Sequence, residues 1–281
     1  MYSTDDVAEY YNHTQHHYIK WWNLKSSLAL HYGIWGSETK NLSAALTNTN
    51  MLMMELAEVK QGEWILDAGC GVGGAAFFLS SVKQAHVTGI TISEKQFMFA
   101  QREATVKGLS DKVTFHVMDY TKTNFDDETF DLVWACESVA SASDQNNFIA
   151  EAARVLKKGG RLVVSDYFLA DQFESDKENL LDKWLSKWCI SKLWSQQMFA
   201  SALEANGFEH IRTVDYTDAI RRSSRRMYFA SLIGAVPSQL YNLFHPGIKR
   251  VAADHYKSGY YQYKALNRNL WRYIMVVAVK K

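Results

Sequence analysis

A glycine-rich loop that follows a short apolar run is the feature that most constrains this chain of 281 residues. The apolar run Trp64-Ile65-Leu66 predicts a buried strand. The stretch after it reads Asp67-Ala68-Gly69-Cys70-Gly71-Val72-Gly73-Gly74. In such a loop, glycines allow a tight turn, a close approach of a ligand to the backbone, and close packing of the next helix on the strand. The loop therefore predicts a ligand site at the carboxyl end of the first strand of an α/β sheet.

The pattern from Gly62 onward alternates between strand and helix. Helices are predicted between the strands, and Ser93 with Gln96 three residues later has the form of a capping box. The alternation predicts an α/β fold, with a Rossmann-like, seven-stranded, mostly parallel sheet and helices on both faces. Aromatic-rich helices are predicted over residues 171–206 and 217–265, where they would form a helical cap. The predicted strands cover residues 63–67, 85–91, 113–117, 130–135, 161–165, 211–216 and 271–279.

Composition excludes several classes of protein. Hydrophobic residues make up 47% of the chain, which is enough for a sizeable core. Lys and Arg number 31 against 30 Asp and Glu, and this balance argues against a dedicated nucleic-acid binder. No apolar run approaches the roughly 20 residues that cross a bilayer, and the N-terminus lacks the pattern of a signal peptide. The three cysteines fit neither a disulfide framework nor a zinc site, so we expect a cytoplasmic protein without a metal.

Two classes of ligand use a loop of this kind. The spacing Gly69-x-Gly71-x-x-Gly74 also satisfies the dinucleotide fingerprint, which makes a nicotinamide-dependent oxidoreductase the rival reading. However, Asp67 would repel a pyrophosphate, and the end of the second strand has no acid for a ribose diol. S-adenosylmethionine is a sulfonium cation with an amino-acid tail and no phosphate. Asp67 suits its ammonium group, and Asp119, after the third strand, suits the adenine amino group.

Residues 60–170 resemble a class I S-adenosylmethionine-dependent methyltransferase. More narrowly, they resemble the small-molecule group that contains sterol C-methyltransferases and tocopherol methyltransferases. The resemblance implies S-adenosyl-L-methionine as the cofactor and a small-molecule acceptor. It also implies that Thr91 and Ser93 stand where many methyltransferases carry an acidic ribose ligand. The motifs that carry it are the glycine loop 66–74, Gly89-Ile90-Thr91-Ile92-Ser93, Glu137, and the upstream His31-Tyr32-Gly33-Ile34-Trp35.

The resemblance also divides the chain and names a cofactor site. Residues 1–60 are expected to form an N-terminal helical lid, and residues 61–170 the S-adenosylmethionine-binding core. Residues 171–281 are expected to hold the rest of the sheet, with inserted cap helices that form the acceptor pocket. The predicted cofactor-binding residues are Asp67, Gly69, Gly71, Gly73, Thr91, Ile92, Ser93, Gln96, Asp119, Tyr120 and Glu137.

Two residues are the catalytic candidates. Glu137 follows the fourth strand, at the sheet edge that must face the transferring methyl group. There it would take a proton from the acceptor or stabilise a cation, whereas a structural Glu that fastens the lid is the alternative. His31 lies in the segment before the core, where it would act as a base. A packed histidine in an aromatic run is the alternative for His31.

The acceptor candidates are mostly aromatic. Tyr32, Trp35 and Trp188 would wall an apolar or cationic acceptor, and Arg225, from the basic cluster 221–226, would grip a phosphate. A solvated basic face is the simpler interpretation of that cluster. Tyr10 and Tyr11 would cover the cofactor. The histidines His13, His16 and His17 have helical spacing, but we interpret them as helix surface because no acidic or cysteine partner accompanies them.

The sequence thus predicts an enzyme that transfers a methyl group to a small hydrophobic acceptor. Carbon methylation of an isoprenoid, a quinol or a similar natural product is favoured. Methylation of a small amine or phenol on nitrogen or oxygen is the alternative, and a binding module that kept the cofactor pocket is the non-catalytic rival. The sequence is compatible with assembly into a homo-oligomer.

Overall fold

The structure is a computed structural model that describes residues 2–10, 28–172, 175–244 and 255–281. Seven strands form one sheet in the order β3-β2-β1-β4-β5-β7-β6. Neighbouring strands from β3 to β5 are parallel, and β7 runs antiparallel to both β5 and β6. The predicted Rossmann-like, mostly parallel sheet is therefore confirmed. The strands are β1 (Trp64–Ala68), β2 (His86–Thr91), β3 (Val113–Val117), β4 (Phe130–Cys136), β5 (Leu156–Leu169), β6 (Phe208–Asp215) and β7 (Trp271–Lys280).

Helices lie between the strands and before the sheet. Residues 4–10 are helical, and short 3-10 turns cover Val139–Ser141 and His255–Lys257. Ser93 caps a helix as predicted, because its side chain accepts a hydrogen bond from the backbone N–H of Gln96. The longer helices are α1 (Leu42–Leu56), α2 (Gly74–Lys83), α3 (Glu94–Val106), α4 (Gln145–Val155), α5 (Leu180–Leu185), α6 (Gln196–Ala205), α7 (Arg221–Phe244) and α8 (Ser258–Asn267).

The predicted continuous helix over residues 171–206 is wrong in its middle. Among the residues of this stretch that the structure describes, 171–172 and 175–206, α5 and α6 are the helices. Cys189 adopts a left-handed backbone conformation with φ of 53°, which a continuing α-helix does not allow. The chain then runs along the end of β5, where the N–H of Leu169 donates to the carbonyl of Trp194 at 2.9 Å. Trp188 lies in the turn that directly follows α5, and there it lines the candidate site.

The central strands of the sheet are buried on both faces. Successive strand residues point to opposite sides, so Ile65 packs in one layer of the core and Leu66 in the other. Leu132 and Val133 of β4 divide in the same way. Such strands read as continuous apolar runs, which is why they could be predicted from sequence.

The strand order reverses at β1 and β4, and ligands of open α/β sheets bind at the carboxyl ends of strands beside such a switch. The loops after these two strands are locked together there. The hydroxyl of Ser138, which follows β4, donates to the carbonyl of Ala68 at 2.7 Å. The glycine loop after β1 therefore faces the residues that follow β4 across one crevice.

Part of the predicted lid belongs to the main core. Tyr32 is 1% exposed and Ile34 is 2% exposed, and both lie in the same hydrophobic cluster as Trp271 of β7. The N–H of Trp35 donates to the carbonyl of Ala219 at 2.9 Å. The segment around residues 28–36 is therefore fixed to the sheet, while the division of the chain at residue 60 stays a prediction.

Candidate active site

One cavity opens at the carboxyl ends of β1 and β4. Its volume is about 1200 Å³, which includes the solvent space at its open mouth. The predicted site residues that line it are His31, Tyr32, Asp67, Gly69, Gly71, Thr91, Ile92, Gln96, Tyr120, Glu137 and Trp188. The predicted residues that do not line it are Trp35, Gly73, Ser93, Asp119 and Arg225.

The glycine loop has the conformation that its sequence predicts. Gly69 has a φ of 87°, and a Cβ atom there would lie 2.5 Å from the Cβ of Ser138. Gly73 is the left-handed N-cap of α2, where an added Cβ would collide with the ring of Phe115. Gly73 therefore shapes the loop from behind the cavity wall, whereas Gly69 and Gly71 line the cavity itself.

Asp67 is a buried carboxylate with an unfilled bonding position. It is 2% exposed, and its Oδ2 has no hydrogen-bond partner among the described residues. Burial raises the pKa of Asp67 to about 7, although a hydrogen bond from the N–H of Ala76 opposes the rise. An unpaired buried carboxylate oxygen is costly, and an ammonium group would satisfy it. The residues therefore fit the amino-acid end of S-adenosylmethionine.

The residues after β2 form a small polar network. The hydroxyl of Thr91 donates to Oε1 of Gln96 at 2.8 Å and accepts from the N–H of Ser93 at 3.2 Å. Thr91, Ile92 and Gln96 line the cavity, while Ser93 is fully buried as the cap of α3. The network thus presents a neutral polar wall where a ribose ligand is expected.

Asp119 lies behind the cavity wall rather than in it. Its Oδ1 accepts hydrogen bonds from the N–H and the hydroxyl of Thr121, both at 2.8 Å. Its Oδ2 accepts from the hydroxyl of Thr4 at 2.8 Å. The neighbouring Tyr120 does line the cavity, and its hydroxyl donates to the carbonyl of Ser138 at 2.7 Å.

Glu137 is held by three donors from three separate parts of the chain. The N–H of Tyr32 and the hydroxyl of Tyr273 donate to its Oε1 at 2.5 and 2.7 Å. The hydroxyl of Tyr167 donates to its Oε2. Burial raises the pKa of Glu137 to about 8, although these donors favour the charged form. The backbone of Glu137 has a φ of 51°, a sparsely populated conformation for a side-chain-bearing residue.

His31 is a buried, neutral histidine at the same cavity. It is 8% exposed, and burial lowers its pKa. Its Nδ1 lies 2.9 Å from the carbonyl oxygen of Tyr32. A carbonyl oxygen only accepts, so Nδ1 carries the proton and Nε2 keeps its lone pair. This tautomer leaves Nε2 able to act as a base.

The predicted acceptor residues divide into two groups. Tyr32 and Trp188 line the cavity, and both pack on the ring of Tyr167, with centroid distances of 5.8 and 5.6 Å. Trp35 lies elsewhere, because its indole N–H donates to the hydroxyl of Ser223 at 2.9 Å. Arg225 is exposed on α7.

Some of the remaining predictions concern residues that the structure describes, and others do not. Tyr10 lines the cavity, whereas Tyr11, His13, His16 and His17 lie outside the described residues. Across residues 2–10, 28–172, 175–244 and 255–281, no group of three or more His, Cys, Asp or Glu side chains is placed to hold a metal ion. None of the helices in those ranges combines the length and apolar character that crossing a bilayer requires.

Comparison with known proteins agrees with this geometry. A family model described as a methyltransferase domain matches residues 66–164. Residues 66–164 are therefore a methyltransferase domain. It holds the glycine loop, β4 and Glu137, and so supplies the floor of the cavity.

The methyltransferase domain also resembles curated proteins. A 27-O-demethylrifamycin SV methyltransferase from Amycolatopsis mediterranei is 36% identical over 154 residues, which cover 54% of this chain and 57% of that protein. A sterol 24-C-methyltransferase from Gibberella zeae is 36% identical over 161 residues, covering 56% of this chain and 42% of that protein. The chain thus spans about half the length of these relatives. The predicted resemblance to the sterol C-methyltransferase group is confirmed.

A solved structure shares the fold over nearly the whole chain. The cyclase SpnF superposes with a TM-score of 0.82 at 23% sequence identity, covering 99% of this chain and 97% of the other. At this identity the likeness shows the fold alone. It extends past the methyltransferase domain and includes β6, β7 and the helices between them.

Sequence reasoning missed the three side chains that surround Glu137 and the turn after it. Tyr167 and Tyr273 bond to Glu137, and Asp166 accepts from the N–H of Ala140 at 3.0 Å and from that of Tyr167 at 2.8 Å. Asp166 thereby holds the turn that follows Glu137. One signal was available: β5 neighbours β4 in this kind of sheet, so polar residues where β5 passes Glu137 were candidates.

Proposed function

We propose that this chain transfers the methyl group of S-adenosylmethionine to a small, hydrophobic acceptor that loses a proton. Methylation of a carbon, as in an isoprenoid or a quinol, is the first candidate, and methylation of a hydroxyl is the second. The observation that carries the proposal is that one cavity is lined both by Asp67, with its unpaired oxygen, and by Glu137, with its raised pKa. The first suits a cationic cofactor, and the second suits a base.

The cofactor supplies an electrophilic methyl group on a sulfonium. Asp67 would hold its ammonium group, and the neutral polar wall of Thr91 and Gln96 would face its ribose. The reaction is a direct displacement, in which the acceptor atom bonds to the methyl carbon as the bond from carbon to sulfur breaks. The enzyme contributes mainly by aligning the two molecules and excluding water. S-adenosylhomocysteine is then released.

The acceptor side of the cavity is apolar and aromatic. Val7, Trp188, Ile190 and Met227 contribute to its wall, which favours a hydrophobic acceptor. Glu137 favours an acceptor that must give up a proton, either a carbon after bond formation or a hydroxyl during attack. An amine that arrives neutral can attack without giving up a proton first, so this base favours it less.

The relatives support both modes of transfer. The rifamycin relative is by name an O-demethylrifamycin methyltransferase, and the sterol relative is by name a C-methyltransferase. Carbon and hydroxyl acceptors therefore both belong in the assay. A solved structure with this fold is by name a cyclase, and a cyclase would rearrange a molecule without adding mass. The assay must therefore detect the added methyl group itself.

A direct assay uses S-adenosylmethionine with a deuterated methyl group. Geraniol, farnesol, trimethylhydroquinone, a simple phenol and a simple amine would be screened by mass spectrometry for the gain of one labelled methyl. Fragmentation then separates methylation on carbon from methylation on oxygen. Binding of S-adenosylhomocysteine without any labelled product would support a non-catalytic binding module, and binding of NAD instead would support the oxidoreductase.

A further inference from the structure

Three described tyrosines bond to Glu137. Among them, Tyr167 is the one that both donates its hydroxyl to Glu137 and lines the cavity. Its hydroxyl donates to Oε2 of Glu137, and its side chain is part of the cavity wall. Tyr32 also lines the cavity, but it meets Glu137 through its backbone N–H, and its own hydroxyl donates to Gln262 at 2.8 Å. Tyr273 also bonds to Glu137 but is fully buried and lies outside the cavity wall.

Aromatic packing fixes the ring of Tyr167 in place. Its ring centroid lies 5.5 Å from that of Trp184 and 5.6 Å from that of Trp271, both in edge-to-face contacts. Trp188 covers a further side at 5.6 Å. The N–H of Tyr167 donates to the carboxylate of Asp166 at 2.8 Å, which anchors the backbone. This packing holds the Tyr167 hydroxyl in its contact with Glu137.

We propose that Tyr167 is a catalytic residue that passes the acceptor's proton to Glu137. The inference rests on the proposed methyl transfer. The acceptor's O–H or C–H bond breaks, and its proton goes to the phenolic oxygen of Tyr167. At the same time, the phenolic proton of Tyr167 moves to Oε2 of Glu137. The acceptor atom bonds to the methyl carbon, and the electron pair of the bond from carbon to sulfur stays on sulfur.

The charges around this pair favour a relay over a free phenolate. Burial and the charge of Glu137 hold the pKa of Tyr167 well above its usual range, so the tyrosine cannot give up its proton without receiving another. Glu137 is faced by the titratable groups of Tyr32, Tyr167, Tyr273, Asp166 and Cys136. None of these is a cation, so the pKa of Glu137 stays raised, and its carboxylate is a strong proton acceptor once it is ionised.

Tyr273 provides a matched control, which tests whether Tyr167 does more than position Glu137. Tyr167→Phe and Tyr273→Phe each remove one hydroxyl that donates to Glu137. Each should therefore raise the pKa of Glu137 and move the acidic limb of the pH–rate profile to higher pH. Tyr167 lines the cavity and Tyr273 does not, so only Tyr167→Phe removes a hydroxyl from a cavity-lining residue.

The experiment measures methyl transfer to whichever acceptor of the geraniol and trimethylhydroquinone panel gains a methyl. Tyr167→Phe should lower kcat at the high-pH plateau by roughly 100-fold or more. Tyr273→Phe should lower it by less than about tenfold, with calorimetric binding of S-adenosylhomocysteine kept in both. The double variant Tyr167→Phe with Glu137→Gln should be no slower than the slower single variant, because the two act as a unit.

Two results would overturn the relay while leaving the proposed function intact. One is a plateau kcat of Tyr167→Phe within threefold of that of Tyr273→Phe. The other is a loss confined to KM for the acceptor. Absence of labelled product from the unaltered protein with every acceptor would instead overturn the proposed function, and the relay with it.

Discussion

The hydroxyl of Thr4 donates a 2.8 Å hydrogen bond to Oδ2 of Asp119, across 115 positions of sequence. The bond ties the helical residues 4–10 to the end of β3. Val7 and Tyr10 of the same segment line the cavity. Asp119, which the sequence predicts to bind the adenine amino group, thus fastens the N-terminal segment over the site.

Thr4→Val keeps the shape of residue 4 and removes this bond. We expect the affinity for S-adenosylhomocysteine to fall about three- to tenfold, the effect of one net hydrogen bond of roughly 1 kcal/mol. Calorimetry measures this directly. Thr105→Val is the matched control, because Thr105 lies on α3 outside the cavity wall. Equal affinities for the two variants would show that the N-terminal segment plays no part in holding the cofactor.

Asp67→Asn should weaken the binding of S-adenosylhomocysteine. The substitution keeps the size of the side chain and removes the charge that pairs with the ammonium group. Hydrogen bonds to charged groups contribute roughly 1.5–3 kcal/mol, so a loss of about ten- to 100-fold is expected. Asp126→Asn, at an exposed carboxylate, is the control. NAD and NADP should show no binding to either protein, and tight binding of either dinucleotide would contradict the cofactor assignment.

Cofactor affinity should also depend on pH through Asp67. The pKa of Asp67 is about 7 in the free protein, and an adjacent ammonium group lowers it. Binding below pH 7 must therefore release a proton, and the affinity should fall as the pH drops from 7 to 5. Calorimetry in buffers of different ionisation enthalpy counts the released protons. Asp67→Asn should flatten the dependence, and an unchanged slope in that variant would assign it to another group.

The free energy of unfolding of the cofactor-free protein should fall as the pH rises from about 4 to about 8. Burial raises the pKa to about 7 for Asp67, to about 8 for Glu137 and to about 6 for Asp166. In that window the folded state binds more protons than the unfolded state, so a rise in pH favours unfolding. A series of thermal melts from pH 5 to pH 9 measures the trend. Glu137→Gln should reduce the slope between pH 5 and pH 8, whereas Asp126→Asn should not.

The fold could be predicted further than the site. The strands of the parallel sheet were predicted because they are apolar runs between turns, and the loop 66–74 carries its own glycine pattern. The cluster around Glu137 could not be predicted from local patterns, because it depends on strand order. Tyr167 and Tyr273 lie 30 and 136 positions from Glu137, and only the pairing of β4 with β5 and of β5 with β7 brings them together. Local periodicity contains no signal for such pairings.

The same limit explains two residues that the structure places outside the cavity. Trp35 belongs to an aromatic run beside His31 and Tyr32, but its ring points the other way, with the guanidinium of Arg222 lying 4.0 Å above it. A run of aromatic residues shows that a segment is packed, and not which side of the segment faces the ligand. Arg225 fits the simpler interpretation of the basic cluster, since it is exposed on α7.

Glu137→Gln tests the chemistry at the centre of the site. All three groups around the carboxylate are donors, and the amide nitrogen of glutamine cannot accept from them. The amide oxygen can still accept from Tyr32 and Tyr273, so the local fold and the cofactor affinity should change little. The proton acceptor is gone, so turnover should fall roughly 100-fold or more.

The pH–rate profile decides between the two roles of Glu137. As a base, Glu137 must be deprotonated, so the rate of the unaltered protein should rise with pH to a plateau above the pKa of about 8. That acidic limb should disappear in Glu137→Gln and persist in Asp126→Asn. If Glu137 only fastens the segment that carries Tyr32, glutamine keeps the rate near normal with the acidic limb intact. That outcome would transfer the role of base to Nε2 of His31, which lines the same cavity. His31→Gln would then be the variant that loses the rate.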